Sequence, residues 1–375
     1  MEHTSIPAPD ILSMNENELA AFISGLGEKP FRSKQLFRWM HQKLETNYDD
    51  MTDLPAQLRE KLKEAAPIKA VEIERKFISD TDGTIKYLFS LGGSSIIESV
   101  FMQHRHGTSV CVSTQAGCRM GCSFCASTID SLDRNLTPGE MASQVYAIQK
   151  DRSKRVDGVV LMGSGEPLDN YDNVIKLIRL LNSKNGLDLG QRHITLSTCG
   201  LVPEISRLAE EDLQITLAIS LHAPTDELRS RLMPINKRYP VDQVIKAGKD
   251  YSDKTKRRLT IEYAMLDQTN DSPEMARILG KKLKGGLVHV NLIPFNPVKE
   301  LNYQRSKQDA ITLFADILRS YGVETTLRRE LGGDIDGACG QLRRGYTHRR
   351  NPAKGMKKDE FESNRENQYR QNTSE

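Results

Sequence analysis

Residues 108–126 read TSVCVSTQAGCRMGCSFCA, a run of strand-forming residues followed by a cysteine-rich loop. Its first seven residues combine β-branched and apolar side chains and predict a strand. Cys118, Cys122 and Cys125 follow in a C-x3-C-x2-C pattern, with Phe124 just before the last cysteine. A reactive loop directly after a strand is typical of enzymes built on parallel barrels, which carry their chemistry at the carboxyl ends of the strands.

The alternation of strand and helix continues along the chain. Six apolar runs are predicted as strands: 108–114, 158–163, 193–199, 214–221, 259–265 and 287–293. Thr137 and Glu140 form a capping box at the start of the first intervening helix, with Pro138 at its first position. Alternation of this kind predicts an α/β fold with parallel strands and right-handed crossovers, here a partial (β/α)6 barrel of TIM type.

The chain before this barrel has a different pattern. Residues 15–65 have helical periodicity, with Phe31, Leu36, Trp39 and Met40 predicted near one face. Asp82 and Gly83 lie between two runs rich in β-branched and aromatic residues, which predicts a hairpin. We therefore expect four parts: a small helical N-terminal accessory domain (1–75), a β-hairpin extension and linker (76–107), the core barrel (108–345) and a flexible tail, first basic and then polar (346–375).

The composition excludes several classes of protein. The 375 residues include 53 Lys+Arg and 50 Asp+Glu, for a net charge of +3, and 38% are hydrophobic, which excludes a wholly disordered chain. The sequence contains no apolar run of the length that spans a bilayer, and its N-terminus lacks the basic and apolar regions of a signal peptide. Four of the six cysteines lie within fifteen residues, which suits a reducing compartment. We therefore predict a cytoplasmic protein without a membrane partner.

The three clustered cysteines are predicted to bind an iron–sulfur cluster. Three thiolates on one short loop can bind three irons of a [4Fe-4S] cluster, and the fourth iron then remains open to a small molecule. A zinc site is the alternative interpretation, but structural zinc takes four closed ligands, usually in C-x2-C pairs, and the sequence has no second pair. The spacing C-x3-C-x2-C is that of the radical S-adenosylmethionine (SAM) superfamily, in which the open iron binds SAM.

Polar residues at the ends of the other predicted strands are candidates for binding SAM. Gly165 and Glu166 follow the second strand, where glycine permits close approach of the backbone and a carboxylate can accept from an α-ammonium group. Further candidates, each also compatible with an ordinary strand-end role, are Ser197, Ser220, Leu221, His222 and Asn296.

Two cysteines outside the cluster are also predicted at the mouth of the barrel. Cys111 lies on the first strand, and Cys339 lies in the glycine-rich stretch 332–341. Inert buried thiols are the alternative. A cysteine in a polar, glycine-rich loop is poorly suited to a core, which favours a functional role for Cys339. Cys199 lacks such a context and is predicted to be structural.

From about residue 20 to residue 345 the chain resembles the RlmN/Cfr family of radical SAM RNA methyltransferases, and within it the RlmN branch. The resemblance rests on CRMGCSFC (118–125), RNLTPGE (134–140), MGSGEP (162–167), SLHAPTDELRSRLMPINKRYP (220–240), HVNLIPFNP (289–297) and DIDGACGQL (334–342). Two departures are small: Ser127 and Thr128 follow Ala126 where most members have Thr-Gly, and Gly337 stands where many have Ala. Neither departure affects a ligand or a reacting group.

The resemblance implies a reaction and roles for individual residues. The reaction is methylation of adenine C2 in 23S rRNA near the peptidyl-transferase centre, and of an adenosine beside the anticodon in tRNA. Cys339 would carry the methyl group, Cys111 would resolve a transient protein–RNA link by forming a disulfide, and Glu98 would accept the ring proton. The implied cofactors are one [4Fe-4S] cluster per chain and SAM, with an electron donor such as flavodoxin or ferredoxin. We expect a monomer.

Three alternatives remain open from the sequence. Methylation at adenine C8, as in the Cfr enzymes, would use the same cysteines, although residues 30–44 with the single Trp39 resemble the C2 enzymes. A radical SAM activase or lyase would need the cluster but not the pair Cys111 and Cys339. A zinc-stabilised RNA-binding module would need no catalysis. The basic stretch 343–358 and the pair Arg328 and Arg329 are candidates for contacts with RNA phosphates.

Overall fold

The chain folds around one large sheet flanked by helices. The computed structural model describes residues 8–92, 95–105 and 107–342, so the predicted tail 346–375 and the basic stretch 343–358 lie outside the described residues. The α-helices of the described part are α1 (Glu16–Gly25), α2 (Phe31–His41), α3 (Ala56–Ala65), α4 (Pro138–Arg152), α5 (Tyr171–Asn182), α6 (Val202–Leu208), α7 (Asp226–Leu232), α8 (Val241–Thr255), α9 (Pro273–Leu283) and α10 (Gln308–Ser320).

The strands carry the same alternation that the sequence predicts. They are β1 (Glu72–Ile78), β2 (Ile85–Ser90), β3 (Ile96–His104), β4 (Gly107–Cys111), β5 (Gln115–Ala116), β6 (Arg134–Asn135), β7 (Gly158–Leu161), β8 (Ile194–Thr198), β9 (Thr216–Ser220), β10 (Leu259–Met265), β11 (Val288–Pro294) and β12 (Glu324–Leu327). Ten of them form one sheet in the order β1-β2-β3-β4-β7-β8-β9-β10-β11-β12, and β5 pairs with β6.

The parallel part of the sheet is the predicted partial barrel. All neighbouring pairs from β4 to β12 are parallel, whereas β1 to β4 pair antiparallel. The sheet curves so that the ends of β7, β8, β9, β10 and β11 all line one cavity. The predicted α/β fold, with its helical N-terminal part and its hairpin, is confirmed.

The structure differs from the prediction at both ends of the barrel. A seventh parallel strand, β12, follows the six predicted ones; only Thr325 of its four residues is buried, so the strand has no apolar run to reveal it. At the other end, the hairpin turn at Asp82 and Gly83 joins β1 to β2, and β3 pairs with β4. The hairpin extension therefore continues the barrel's own sheet.

The N-terminal helices pack around a small core of their own, which also includes Leu180 of α5. Leu36 and Met40 of α2 are fully buried there, as predicted. Phe31 was expected on the same face but is 51% exposed, with the Arg32 guanidinium over its ring, and Phe37 is buried in its place. Burying a side chain of this size contributes about 1.5–3 kcal/mol, so Leu36, Phe37 and Met40 each stabilise this packing.

The first helix of the barrel begins as the sequence predicts. The Thr137 hydroxyl accepts from the backbone N–H of Glu140, and the Glu140 carboxylate accepts from the backbone N–H of Thr137 at 2.9 Å. Pro138 occupies the first turn of α4, where its missing N–H costs nothing. Within the described ranges, no helix combines the length and apolar character needed to cross a bilayer.

Candidate active site

The cysteine loop is held by hydrogen bonds from both sides. The Ser123 backbone N–H donates to the Leu232 carbonyl at 2.9 Å, and the Thr128 hydroxyl donates to the Cys125 carbonyl at 2.9 Å. Gly117, just before Cys118, has φ +81°, and a Cβ there would lie 1.9 Å from the Ser131 carbonyl oxygen. Only glycine fits at this turn, which directs the loop over the barrel mouth.

The three loop thiols form a donor set that fits an iron–sulfur cluster. Burial raises the pKa of Cys118 to about 12, and it also raises the pKa values of Cys122 and Cys125. Thiols with such pKa values ionise when a metal binds them. Among residues 8–92, 95–105 and 107–342, no three His, Cys, Asp or Glu side chains are arranged around one ion position. Cys118, Cys122 and Cys125 line one cavity, and three thiolates suit a cluster, in which each binds its own iron, better than structural zinc, which takes four protein ligands.

A first cavity of about 160 Å³ lies beside this loop. Among its lining residues are most of the predicted site residues: Cys118, Cys122, Cys125, Gly165, Glu166, Ser197, Ser220, His222, Asn296 and Cys339. The structure therefore brings the ends of five strands and the cysteine loop to one place.

Glu166 presents a buried carboxylate to the first cavity. Its Oε2 accepts from the Cys199 backbone N–H at 2.7 Å, and its Oε1 accepts from the Leu168 backbone N–H at 3.1 Å. Burial raises the pKa of Glu166, so a cationic partner would stabilise the ionised form. Gly165 has φ +105°, and a Cβ there would lie 2.6 Å from the Gln115 Cβ, so the backbone approaches closely at this point.

His222 is fixed as a neutral hydrogen-bond donor. Its Nδ1 accepts from the Ala264 backbone N–H at 2.9 Å, which leaves the ring proton on Nε2. Burial, with a smaller effect of the Arg229 charge, lowers the pKa of His222 to about 3. The Ser197 and Ser220 hydroxyls lie 3.2 Å apart on the neighbouring strands.

Leu221 and Asn296 differ in how they meet the first cavity. The Leu221 side chain is buried in the main core and does not line the cavity; its backbone N–H donates to the Glu262 carbonyl at 3.1 Å. Asn296 lines the cavity, and its buried Oδ1 has no hydrogen-bond partner within the described protein. An unpaired buried amide oxygen is costly, so this atom fits a donor group on a bound ligand.

Cys339 lies where the first cavity meets a second one. Both cavities are lined by Met162, Asn296, Arg328 and Cys339, whereas Cys111 lines only the second. The pKa of Cys111 is raised to about 12, mainly by burial; a charge on Cys339 acts in the same direction, and Arg328 acts against it. The two outlying cysteines predicted to act together therefore share one cavity.

Hydrogen bonds tie the Cys339 loop to the cysteine loop. The Ala126 backbone N–H donates to the Gly340 carbonyl at 2.9 Å, and the Ser127 hydroxyl donates to the Leu342 carbonyl at 2.7 Å. On the other side, Lys86 Nζ donates to the Asp336 carbonyl at 3.2 Å.

Glu98 lies close to Lys86, which contacts the Cys339 loop, but it lines neither cavity. It is buried on β3, two residues from Val100, which is paired with Cys111 on β4, so Glu98 points to the same face of the sheet as Cys111. Its Oε1 lies 3.8 Å from Lys86 Nζ. Glu98 is thus connected through Lys86 to the loop that carries Cys339.

Sequence reasoning missed two residues that shape the site. Glu262 of β10 is buried in the first cavity, accepts from Asn291 Nδ2 at 3.0 Å and lies 3.7 Å from Arg328 Nη1; burial raises its pKa. A carboxylate inside the otherwise apolar run of β10 was the available signal. Arg229 is fully buried and donates to the Leu221 carbonyl at 3.1 Å and to the Cys199 carbonyl. No sequence feature distinguishes it from a surface arginine.

Two family models match the chain. Residues 112–279 match the radical SAM superfamily, and residues 9–68 match the N-terminal domain of ribosomal RNA large subunit methyltransferases. The superfamily match covers β7 to β10 and the cysteine loop, so fold and site together define a radical SAM enzyme. Membership of this class implies a [4Fe-4S] cluster and SAM.

Similarity to known proteins shows to which family of radical SAM enzymes the chain belongs. A probable dual-specificity RNA methyltransferase RlmN from Clostridium novyi is 52% identical over 337 residues, 90% of this chain and 98% of that protein. One of the same name from Symbiobacterium thermophilum is 52% identical over 333 residues, 88% of this chain and 90% of that protein. The crystal structure of a radical SAM methyltransferase from Sphaerobacter thermophilus, 42% identical, covers 90% of this chain and 100% of its own, with a TM-score of 0.87. The chain belongs to the RlmN family of radical SAM RNA methyltransferases.

Proposed function

We propose that this protein methylates C2 of a specific adenosine in 23S rRNA and of an adenosine beside the anticodon in tRNA, through a methyl group carried on Cys339. The observation that carries the proposal is the position of Cys339 at the junction of two cavities. One cavity contains the cysteine loop and the predicted SAM-binding residues, and the other contains Cys111.

The cofactors would be held by residues of the first cavity. Cys118, Cys122 and Cys125 would bind the cluster, and Glu166 would accept from the SAM ammonium group, with the orphaned Asn296 Oδ1 as a further acceptor. When bound, SAM and the cluster supply a transferable methyl group and a radical that abstracts hydrogen. This chemistry is needed because an adenine ring carbon bonded to hydrogen is a poor nucleophile toward SAM.

The protein's own residues would carry the methyl carbon from cofactor to RNA. The Cys339 thiolate accepts the methyl group by displacement, and its loop then holds this group between the two cavities. After hydrogen abstraction the Cys339 methylene radical adds to adenine C2, which links protein and RNA covalently. Arg328 lines the second cavity with Cys339 and Cys111, and its positive charge opposes the rise in the pKa of Cys111 that burial causes.

Two further residues would release the product. Glu98 takes the C2 proton. Its carboxylate lies near Lys86, whose Nζ donates to the Asp336 carbonyl of the Cys339 loop, so this contact has to change before Glu98 reaches the base. The Cys111 thiolate attacks the Cys339 sulfur, and the bond from this sulfur to the methylene carbon breaks. The carbon takes up a proton to become the methyl group, and the unpaired electron of the adduct passes to a one-electron acceptor, such as the electron-donor protein in its oxidised form. A disulfide remains for an external reductant to reopen. A cytoplasmic location, a monomeric state and a flavodoxin or ferredoxin donor stay predictions.

Nucleoside analysis tests the proposed function. Ribosomal RNA and tRNA from cells with and without the gene are digested and compared by mass spectrometry. We expect 2-methyladenosine in both RNA classes, and its loss when the gene is absent. Loss of 8-methyladenosine instead would favour the Cfr-type reaction, and no change in either RNA would contradict the proposal.

A further inference from the structure

We propose that the buried positive charge of Arg229, fixed behind the ends of β8 and β9, favours one-electron reduction of the bound iron–sulfur cluster. This role depends on the cluster that membership of the radical SAM class implies. It is independent of which RNA and which adenine carbon are methylated, so it goes beyond the proposed function.

The Arg229 guanidinium is fully buried and uses every one of its hydrogen-bond donors. Its N–H groups donate to five oxygens: the carbonyls of Cys199, Ser220, Leu221 and Tyr239, and the side-chain amide oxygen of Asn236. A guanidinium has five N–H donors only when it is protonated, so this set of acceptors fixes the charged form.

None of these acceptors carries a negative charge. Arg229 forms no ion pair with any residue that the structure describes. The Asp226 carboxylate attracts it from a greater distance, but Asp226 is exposed and its Oδ1 accepts from Asn236 Nδ2 at 3.1 Å and from the Val241 backbone N–H at 2.8 Å. A cation removed from water without a counter-charge is costly. The interior around Arg229 is therefore suited to an anionic ligand close by.

Helix α7, which carries Arg229, packs directly against the cysteine loop. The helix ends at Leu232, whose carbonyl accepts from the Ser123 backbone N–H at 2.9 Å, and Ser123 is the residue after Cys122. The Cys122 side chain also packs against the apolar cluster that contains Leu232. The helix that positions the cation thus also holds the loop that is proposed to bind the cluster.

The guanidinium lies behind the wall of the first cavity. Cys199 and Ser220, whose carbonyls accept from Arg229, line this cavity together with the three loop cysteines, whereas Arg229 itself does not. Burial and the neighbouring thiols raise the pKa of Cys122, and the charge of Arg229 acts against this rise. The cation is therefore within electrostatic range of a thiol proposed to bind iron.

A bound cluster would supply the missing negative charge. A [4Fe-4S] cluster with three thiolate ligands is anionic, and its reduction by the electron donor adds one electron and hence one further negative charge. A fixed cation stabilises the reduced form more than the oxidised form, and the protein interior screens this attraction less than water does. Because the reduction potential of iron–sulfur clusters depends on such charges, Arg229 should raise it.

Two substitutions remove or neutralise this charge in different ways. Arg229→Gln removes the cation but keeps a side chain that can donate to carbonyls. Asn236→Asp leaves Arg229 in place and puts a carboxylate at the oxygen that now accepts from Arg229 Nη1 at 3.1 Å, where the cation keeps it ionised. Its matched control is Asn236→Ala, which loses the same Nδ2 hydrogen bonds without adding a charge.

Arg231→Gln controls for loss of a positive charge from the same helix. Arg231 lies on α7, is exposed, lines neither cavity and forms no ion pair in the described part of the chain. Water screens a charge at such a position. Its substitution should therefore leave the cluster potential at the parent value.

The midpoint potential of the cluster is the readout. The full-length proteins are reconstituted anaerobically, reduced stepwise with dithionite in the absence of RNA and followed by electron paramagnetic resonance of the reduced cluster. We expect Arg229→Gln and Asn236→Asp to disfavour reduction about tenfold or more, a fall of about 59 mV or more in midpoint potential. Asn236→Ala and Arg231→Gln should stay at the parent value.

The comparison of Asn236→Asp with Asn236→Ala decides the outcome, even if Arg229→Gln assembles no cluster. Equal midpoint potentials in these two variants would overturn the electrostatic role and leave Arg229 as a structural clamp of the strand ends. Failure of the proposed function is seen separately, because absence of 2-methyladenosine from both RNA classes would leave the potential difference between the two variants intact.

Discussion

Ala126 donates its backbone N–H to the Gly340 carbonyl at 2.9 Å, so the residue after the last cluster cysteine is bonded directly to the residue after Cys339. The two loops come from opposite ends of the barrel sequence, more than two hundred residues apart. This bond, with that of the Ser127 hydroxyl to the Leu342 carbonyl, fixes where Cys339 lies relative to the cluster loop. The loop proposed to bind the cluster and the cysteine proposed to carry the methyl group are therefore linked by hydrogen bonds.

Replacing Cys118, Cys122 or Cys125 by Ala should abolish cluster assembly and all methylation. Each supplies one of three thiols in the loop, and the other described cysteines lie outside it. Iron and sulfide content and absorbance near 400 nm after anaerobic reconstitution measure the effect. Cys199→Ala is the matched control for cluster assembly: Cys199 is buried beside the site and contacts Glu166 through its thiol and its backbone N–H, but it lies outside the loop, so the cluster of this variant should form. A full, active cluster in any of the three loop variants would contradict the ligand assignment.

Replacing Cys339 and replacing Cys111 should stop the reaction at two different steps. Cys339→Ala has no methyl acceptor, so it should bind SAM and leave RNA unmodified. In the Cys111→Ala variant, Cys339 can still accept the methyl group and add to adenine, but no thiol is present to displace the product. Protein purified with this substitution should carry covalently bound RNA that resists denaturant and is removed by nuclease.

The double variant of these cysteines controls for adventitious RNA. Cys111→Ala combined with Cys339→Ala should carry none, because the adduct requires the Cys339 methylene. Two cysteines that served only in packing would cause modest losses of stability and no adduct in any variant. RNA-free Cys111→Ala protein with normal methylation would eliminate the two-cysteine mechanism while leaving the cluster assignment intact.

Gly165→Ala should weaken SAM binding more than it weakens the fold. The new Cβ would lie 2.6 Å from the Gln115 Cβ, and alanine is strained at φ +105°, so the turn must move away from the first cavity. We expect an increase of about tenfold or more in the Kd for SAM, measured by calorimetry, with the cluster retained. The control is Gly285→Ala: this surface glycine also has a positive φ, +75°, but nothing lies within 4 Å of its Cβ position. Equal effects of the two substitutions on SAM binding would show that strain alone is responsible.

The sequence predicts the barrel and the cluster loop because both depend on local patterns. Each of the six predicted strands is an apolar run, and Cys118, Cys122 and Cys125 lie within one loop. The strand β12 escapes prediction because Thr325 is its only buried residue, and its pairing with β11 depends on contacts far apart in the chain.

The roles of Arg229 and Glu262 could not be predicted for a similar reason. Arg229 is buried only because the carbonyls at the ends of β8 and β9 turn toward it, an arrangement of three chain segments. Glu262 meets Asn291 and Arg328 across two neighbouring strands. Glu98 likewise lines neither cavity and lies 3.8 Å from Lys86, a contact that no sequence pattern shows.

A buried histidine joins the N-terminal helices to the barrel and should make stability depend on pH. His41 of α2 is fully buried, its Nδ1 lies 2.8 Å from the Tyr146 hydroxyl of α4, and its Nε2 has no partner within the described residues. Burial lowers the pKa of His41 to about 3, from a usual value of about 6.5. Below pH 6.5 the unfolded chain therefore binds a proton that the folded protein does not.

Since the folded pKa is depressed, stability is fully present above pH 6.5 and is lost as the pH falls toward 3. Each such group contributes a slope of up to about 1.4 kcal/mol per pH unit, and His222 should contribute in the same direction. We expect His41→Gln to lower stability at pH 7.5 but to lose less on going to pH 5.5 than the parent, as measured by urea unfolding at both pH values. Tyr146→Phe is the control: it removes the hydroxyl contact and leaves His41 buried, so the pH dependence should persist. A parent and a His41→Gln variant with the same loss between pH 7.5 and 5.5 would show that His41 takes up its proton without unfolding.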